Sequence, residues 1–175
     1  MDLSNYSRFL DLFEKWNRSI NLSAASTRAE ISLHIEDSLH VVPHLRAASH
    51  VLDVGSGGGF PVVIAAIALP EVQFVSLEPV HKKHAFIKTA ARELGLANLE
   101  AFAERIEDHA RADYDVAMSR ATFDLADWLA LGAKRVHAGG IVIGFEAVQR
   151  TDLGVIERNA YTIDGKARAL VIKHC

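Results

Sequence analysis

The sequence predicts an α/β protein: a mostly parallel sheet that finishes in an antiparallel hairpin, with a short N-terminal helical extension in front of it. Three observations carry that prediction. From His50 onward, short β-branched runs alternate with helical stretches, the pattern of a parallel sheet wound by helices. Before His50, the large apolar residues recur at spacings of three and four with no strand-like run among them. After Glu146, two strand-like runs flank Asp164-Gly165, a dipeptide suited to a tight hairpin turn. Residues 1–48 are read as the helical extension and residues 49–175 as one compact α/β unit.

Taken in order, Tyr6, Phe9, Leu10, Phe13, Trp16 and Ile20 put one apolar face on a first helix, with Ser4 or Asn5 as its cap. A polar loop through Ser23, Ser26 and Thr27 leads to a second helical pattern at Ile31, Ile35, Leu39 and Val42, which Pro43 ends or kinks. Strands are expected at Val51–Gly55, Val72–Glu78, Leu99–Ala103, Tyr114–Ser119 and Gly140–Phe145. Helices are expected between them at Pro61–Leu69, Lys82–Leu94 and Phe123–Val136, with Gly95 and the pair Gly139-Gly140 marking helix ends. The closing hairpin pairs Ile156–Ile163 with Ala167–Lys173.

At 175 residues, half of them hydrophobic and 23% charged, the chain has the size and balance of one ordinary globular domain. It can bury an adequate core without disulfides or a structural metal. Nineteen Lys and Arg against 22 Asp and Glu leave a net charge of −3, which argues against holding nucleic acid by overall charge but leaves a local basic face open. The only cysteine, Cys175, excludes an internal disulfide and a cysteine-built metal site, and a reducing, cytoplasmic compartment is expected. The longest apolar candidate, Pro61–Pro70, falls short of the roughly 18 residues a membrane span requires. The polar start around Asp2 and Arg8 predicts no signal peptide. His40 and His44 are spaced as metal ligands on a helix. No acid lies between them in the H-E-x-x-H manner and Pro43 disturbs the register, so no metal is expected.

The most informative segment is Val51–Phe60, V-L-D-V-G-S-G-G-G-F, joining the first strand of the α/β region to its first helix. Gly55, Gly57 and Gly59 sit where a strand turns sharply and a ligand can approach the backbone. A dinucleotide loop would read G-x-G-x-x-G, and here its third glycine is replaced by Phe60, whose ring would crowd the helix–strand contact. The spacing found, preceded by Asp53, resembles the cofactor loop of the class I S-adenosylmethionine-dependent methyltransferases. Glu78 ends the next strand, 19 residues beyond Gly59, in position for its carboxylate to accept hydrogen bonds from ribose hydroxyls. The plain alternative is a solvated strand-end acid.

Six segments in order then resemble one family: W-N-R-S-I-N-L-S (Trp16 to Ser23), H-I-E-D-S-L (His34 to Leu39), D-V-G-S-G-G-G-F-P (Asp53 to Pro61), K-K-H-A-F-I (Lys82 to Ile87), R-I-E (Arg105 to Glu107) and S-R-A (Ser119 to Ala121). They are similar to the bacterial 16S ribosomal RNA guanine-N7 methyltransferases, also called glucose-inhibited division protein B. The resemblance implies a Rossmann-like domain that transfers methyl from S-adenosylmethionine to N7 of a guanine in 16S ribosomal RNA or the small ribosomal subunit. The chain is expected to act as a monomer. Carried onto this sequence, the resemblance places Gly55 and Phe60 in the cofactor loop and Ile106 with Glu107 near the adenine. It places Arg120 between the cofactor's methionine end and the target base, and gives His34, Asp37 and Ser38 to the target-base side or to the tie between extension and core.

The residues leave other readings open. Arg120 could instead neutralise a strand-end carboxylate such as Asp115 or Asp124. Lys82 and Lys83, with Lys88, Arg92, His81 and His84, could face phosphate or form an ordinary solvated helix face. Trp16 and Phe13 could stack RNA bases, although their helical spacing favours the core. Two positions depart from the family pattern: Val62, where a glycine is usual, should narrow the space beside the loop, and Phe145-Glu146-Ala147 puts an acid where a lysine-glycine pair is usual. A same-fold methyltransferase acting on a small molecule and a non-catalytic S-adenosylmethionine-binding module are the competing functions.

Overall fold

The computed structural model describes residues 3–154 and 156–175. Three helices, α1 (Leu3–Ile20), α2 (Arg28–Leu39) and α3 (Val42–Leu45), precede the sheet. Then follow β1 (His50–Val54), α4 (Val62–Ala68), β2 (Gln73–Leu77), α5 (His81–Leu94), β3 (Leu99–Phe102), β4 (Tyr114–Ser119), α6 (Leu125–Gly132), β5 (Val136–Glu146), β6 (Glu157–Ile163) and β7 (Lys166–His174). The seven strands form one sheet in the order β3-β2-β1-β4-β5-β7-β6. The first five in that order are parallel, and β7 enters antiparallel to both β5 and β6. The order reverses between β1 and β4, the switch point where open α/β sheets form their ligand crevice.

Strand alternation builds two cores. Val51, Phe74, Val116 and Ile143 face a core filled by α1, α2, α4 and α5, while their neighbours Leu52, Val75, Ala117 and Val142 face Trp128 and Leu129 of α6. The helical extension therefore covers the sheet face instead of standing apart from it. Phe9 and Phe13 of α1 are fully buried against Phe60 and Phe86, with ring centroids 5.3–6.0 Å apart. Trp16 packs at 5.7 Å from Phe86, so these aromatics serve the core.

Several boundaries differ from the sequence expectation. Helix α6 stops at Gly132, and Val136 is already in β5, paired with Tyr114. Gly139, at φ 89°, ends no helix. It lies in an irregular stretch of β5, where the register slips between Tyr114 and Val116, and its N–H donates to the Cys175 carbonyl. Pro43 opens α3 instead of closing α2, because its missing N–H is harmless in a first turn. Ser4 and Asn5 fall inside α1, and Asn5 accepts a hydrogen bond from Arg8. Thr27, read as loop, caps α2 in a capping box with Glu30, a T-x-x-E signal present in the sequence. The Asp164-Gly165 turn forms as expected, both residues having positive φ, and fixes the pairing Ile163↔Lys166.

Candidate functional site

The glycine loop follows β1 at the switch point, and its glycines leave space for different neighbours. A Cβ at Gly55 would meet Thr122 Oγ1 at 2.2 Å, one at Gly58 would meet the Phe13 ring at 2.6 Å, and one at Gly59 would meet Val63 at 2.7 Å. Those three positions admit the chain's own side chains. Gly57, at φ 55°, is the loop position whose missing Cβ leaves open space. A cavity of about 460 Å³ lies there, lined by Gly55, Gly57, Phe60, Glu78, Lys83 and Arg120 among others. Val62 is not in its wall; it is fully buried in the core, so the expected narrowing beside the loop does not occur.

Glu78 is the polar centre of this cavity. Its Oε2 accepts from Gly57 N at 2.8 Å and its Oε1 from Val80 N at 2.8 Å, tying the loop to the start of α5. It is almost fully buried, not a solvated strand-end acid. Each oxygen keeps a further lone pair, so the carboxylate can still accept hydroxyl donors. Behind the loop, Asp53 is fully buried with neither carboxylate oxygen hydrogen-bonded, and burial pushes its carboxyl up to about 7 despite the charge of Arg120. Ser56 and Ser76 brace the same turn, their hydroxyl oxygens 2.7 Å apart.

Arg120 follows β4 in a tight turn with Ala121 at φ 57°, a left-handed conformation costly for alanine that re-aims the chain at the site. Its Nη1 donates to Asp37 Oδ2 at 3.0 Å, and its guanidinium lies 5.2 Å from the Phe60 ring centroid. Asp115 and Asp124 are not its partners. Asp115 accepts from the N–H groups of Ser49 and His50 and contacts His137, while Asp124 caps α6 and pairs with Arg150. Asp37 Oδ1 accepts from the Tyr161 hydroxyl at 2.8 Å, and the Tyr161 ring stacks on His40 at 3.9 Å. One carboxylate from the extension thus joins the end of β4 to the terminal hairpin.

His34 packs at 5.4 Å from the Phe60 ring centroid, and burial together with the nearby Arg120 charge lowers its pKa, so its imidazole is neutral at pH 7. Ser38 is fully buried and donates to the His34 carbonyl within α2. Lys83 lines the loop cavity, whereas Lys82 is exposed one position earlier. Ile106 is buried in the α6-side core and Glu107 is exposed; neither lines the loop cavity. Glu146 is nearly buried and accepts from Arg158 Nε at 3.1 Å and Arg150 N at 2.8 Å, so the departure there leaves no free acid. A second cavity of about 200 Å³, lined by His34, Asp37, Arg120, Ala121, Glu146 and Tyr161 among others, shares Arg120 and Ala121 with the first. Sequence reasoning gave no site role to Thr122, Tyr161, Leu22 or Ser23; of these only Leu22 and Ser23 had a readable signal, in the Trp16–Ser23 segment that carries the family resemblance.

Comparison with known proteins bears on this arrangement. The family described as rRNA small subunit methyltransferase G matches residues 2–174. Among similar relatives, the ribosomal RNA small subunit methyltransferase G of Nitrosospira multiformis is 44% identical over 133 residues, covering 73% of this chain and 61% of that protein. The protein of the same name from Neisseria gonorrhoeae is 40% identical over 75% of this chain and 64% of its own length. The chain thus spans less than two thirds of these relatives. Among solved structures, a methyltransferase from Geobacter sulfurreducens superposes with a TM-score of 0.68 at 15% identity, covering 94% of this chain and 89% of that one. The O-methyltransferase TomG from Streptomyces achromogenes, in complex with SAM, gives 0.65 at 16% identity, covering 94% and 87%. At such identities the likeness is one of fold: the sheet is that of the class I S-adenosylmethionine-dependent methyltransferases.

Proposed function

The chain belongs to the rRNA small subunit methyltransferase G family, and from that premise we propose that it methylates N7 of a guanine in 16S ribosomal RNA, using S-adenosylmethionine. The reading makes residues 1–48 a helical extension to a methyl-transfer unit over 49–175, working as a cytoplasmic monomer without a metal. The observation that carries it is the junction at Arg120. This side chain borders both the glycine-loop cavity and the second cavity under α2, so a cofactor in one and a base in the other would meet beside it.

The residues of the first cavity fit the cofactor. Glu78 has lone pairs for ribose hydroxyls, and Gly57 offers an open surface where any side chain would intrude. Asp53 is the buried acid behind the loop. Bound S-adenosylmethionine supplies a sulfonium methyl open to attack by a lone pair. Guanine N7 carries such a lone pair, unprotonated at neutral pH, so the chain needs no general base. Its task is positioning, which can account for roughly 7 to 11 kcal/mol of barrier lowering. Arg120, clamped by Asp37 and seated on Phe60, is a rigid planar donor for that purpose. Neutral His34 offers an uncharged ring to the base side.

The test is methylation of small ribosomal subunits from a strain lacking the modification, with the product mapped by N7-specific strand scission. Incorporation at one guanine is expected. No incorporation by protein that demonstrably binds S-adenosylmethionine would refute the substrate and favour a small-molecule acceptor or a binding module.

A further inference from the structure

The terminal hairpin carries a cation that the reaction described above leaves unused. The Asp164-Gly165 turn sets Tyr161 of β6 directly opposite Arg168 of β7, so both side chains lie on one face of the sheet, the face that Tyr161 turns toward α2. Tyr161 and Arg120 take the two oxygens of Asp37. Of the other acids nearby, Glu30 closes the α2 capping box and Glu146 holds Arg158, while Asp164 borders the same cavity from the exposed turn. Among the described residues Arg168 has no hydrogen bond or ion pair, and its Nε is buried without an acceptor. A buried guanidinium N–H left unpaired is costly, which marks a place where a ligand supplies the acceptor.

Arg168 also stands where two cavities meet. One is the cavity under α2 that reaches Arg120; the other, of about 300 Å³, runs between α2 and the hairpin past Leu33, Asp164 and Lys166. Both are lined by His34, Asp37 and Arg168. Resting on the methyltransferase reading, we propose that this cleft is an RNA-strand site in which Arg168 binds a phosphodiester next to the target guanine. A phosphate oxygen pair matches the guanidinium fork. The base edge does not suit Arg168, because a bidentate arginine on guanine occupies O6 and N7, and N7 must stay free to react. Arg120 is paired with Asp37 whereas Arg168 has no ion pair among the described residues, so Arg168 is the guanidinium whose fork is open to one phosphate.

The test compares wild type with Arg168→Gln and Arg168→Lys on unmodified small subunits, by filter binding between about 50 and 200 mM salt and by steady-state methylation, with S-adenosylmethionine affinity measured separately. For Arg168→Gln, subunit affinity should fall about tenfold and the log–log salt slope should shrink by about one. KM should rise more than kcat falls, with cofactor affinity unchanged. Arg168→Lys should keep the wild-type slope while binding several-fold more weakly, because it keeps the charge and loses the fork. A slope and KM equal to wild type in the glutamine variant would overturn the site. If that variant does not fold, a lysine variant as tight as wild type would overturn it equally. Wild type that binds S-adenosylmethionine but methylates no subunit refutes the proposed function itself, and this site with it.

Discussion

Replacing Glu78 with glutamine isolates the contact on which the loop cavity depends. The carboxylate accepts from Gly57 N and Val80 N, each at 2.8 Å, and is almost wholly buried. An amide offers one oxygen and one NH₂, so one of those two backbone donors must face another donor. The loss is one charge-assisted hydrogen bond, worth about 1.5–3 kcal/mol, with a buried N–H left unpaired in addition. We expect a net destabilisation of about 2–3 kcal/mol, which for a domain of this size lowers the thermal midpoint by roughly 4–12 °C. S-adenosylmethionine affinity should drop by a further factor of about 10 to 100, because a ribose hydroxyl loses its ionised acceptor. Scanning calorimetry reads the first effect and titration calorimetry of the folded variant at low temperature reads the second. A variant with wild-type midpoint would refute the bridging role, and one with wild-type affinity would refute the assignment of Glu78 to the cofactor.

Three other substitutions probe the remainder of the site. Gly57→Asp places a side chain at φ 55° in the open space of the cavity, with its carboxylate near that of Glu78, and should abolish S-adenosylmethionine binding; unchanged affinity by calorimetry would remove the loop from the cofactor site. Arg120→Ala should keep cofactor affinity largely intact and reduce turnover about 100-fold or more through lost positioning, and retained turnover on small subunits would show that Arg120 does not align the base. Asp53 holds its proton up to about 7 when folded and about 4 when unfolded, so between those values the folded state binds more protons and stability falls as pH rises. Wild type should lose about 3 kcal/mol between pH 5 and 8 from this residue, and Asp53→Asn should flatten that slope in denaturant titrations; parallel pH profiles would show that Asp53 ionises normally.

The parts legible in the sequence are those governed by local pattern. Short apolar, β-branched runs mark Val51 and Leu52 or Phe74 and Val75 as strand residues, continuous because strand neighbours face opposite cores and both are buried, and the loop V-G-S-G-G-G-F marks its own turn. What the pattern does not contain is the identity of the neighbour. Whether Gly55 and Gly58 are open to a ligand or filled by the protein depends on Thr122 and Phe13, which arrive from distant segments. Arg120 could be picked out by position, but its partner Asp37 lies 83 residues away and Tyr161 lies 124 residues from Asp37, beyond any spacing rule. Gly139-Gly140 was misread for a related reason: a glycine pair after a helical pattern signals a helix end locally, whereas pairing of Val136 with Tyr114 draws that stretch into the sheet.

The net charge of −3 illustrates the same distinction between the whole chain and its sites. Much of the arginine charge is spent within the fold: Arg28 pairs with Asp11 and Glu14, Arg92 with Glu93, Arg111 with Asp113, Arg150 with Asp124 and Asp152, and Arg158 with Glu146. The exposed pairs contribute little stability, but each keeps a cation from presenting an open face to an anion. The cations bordering the cavities are different in kind. Lys83 stands at the loop, Arg120 at the junction with its charge balanced by Asp37, and Arg168 in the cleft with no ion pair among the described residues. On the proposed function, a protein arranged this way would meet RNA through a few fixed contacts and not through a broad attractive field. Its affinity for RNA at large would be modest, and its discrimination would depend on whether a strand fits the cleft so that a base reaches Arg120.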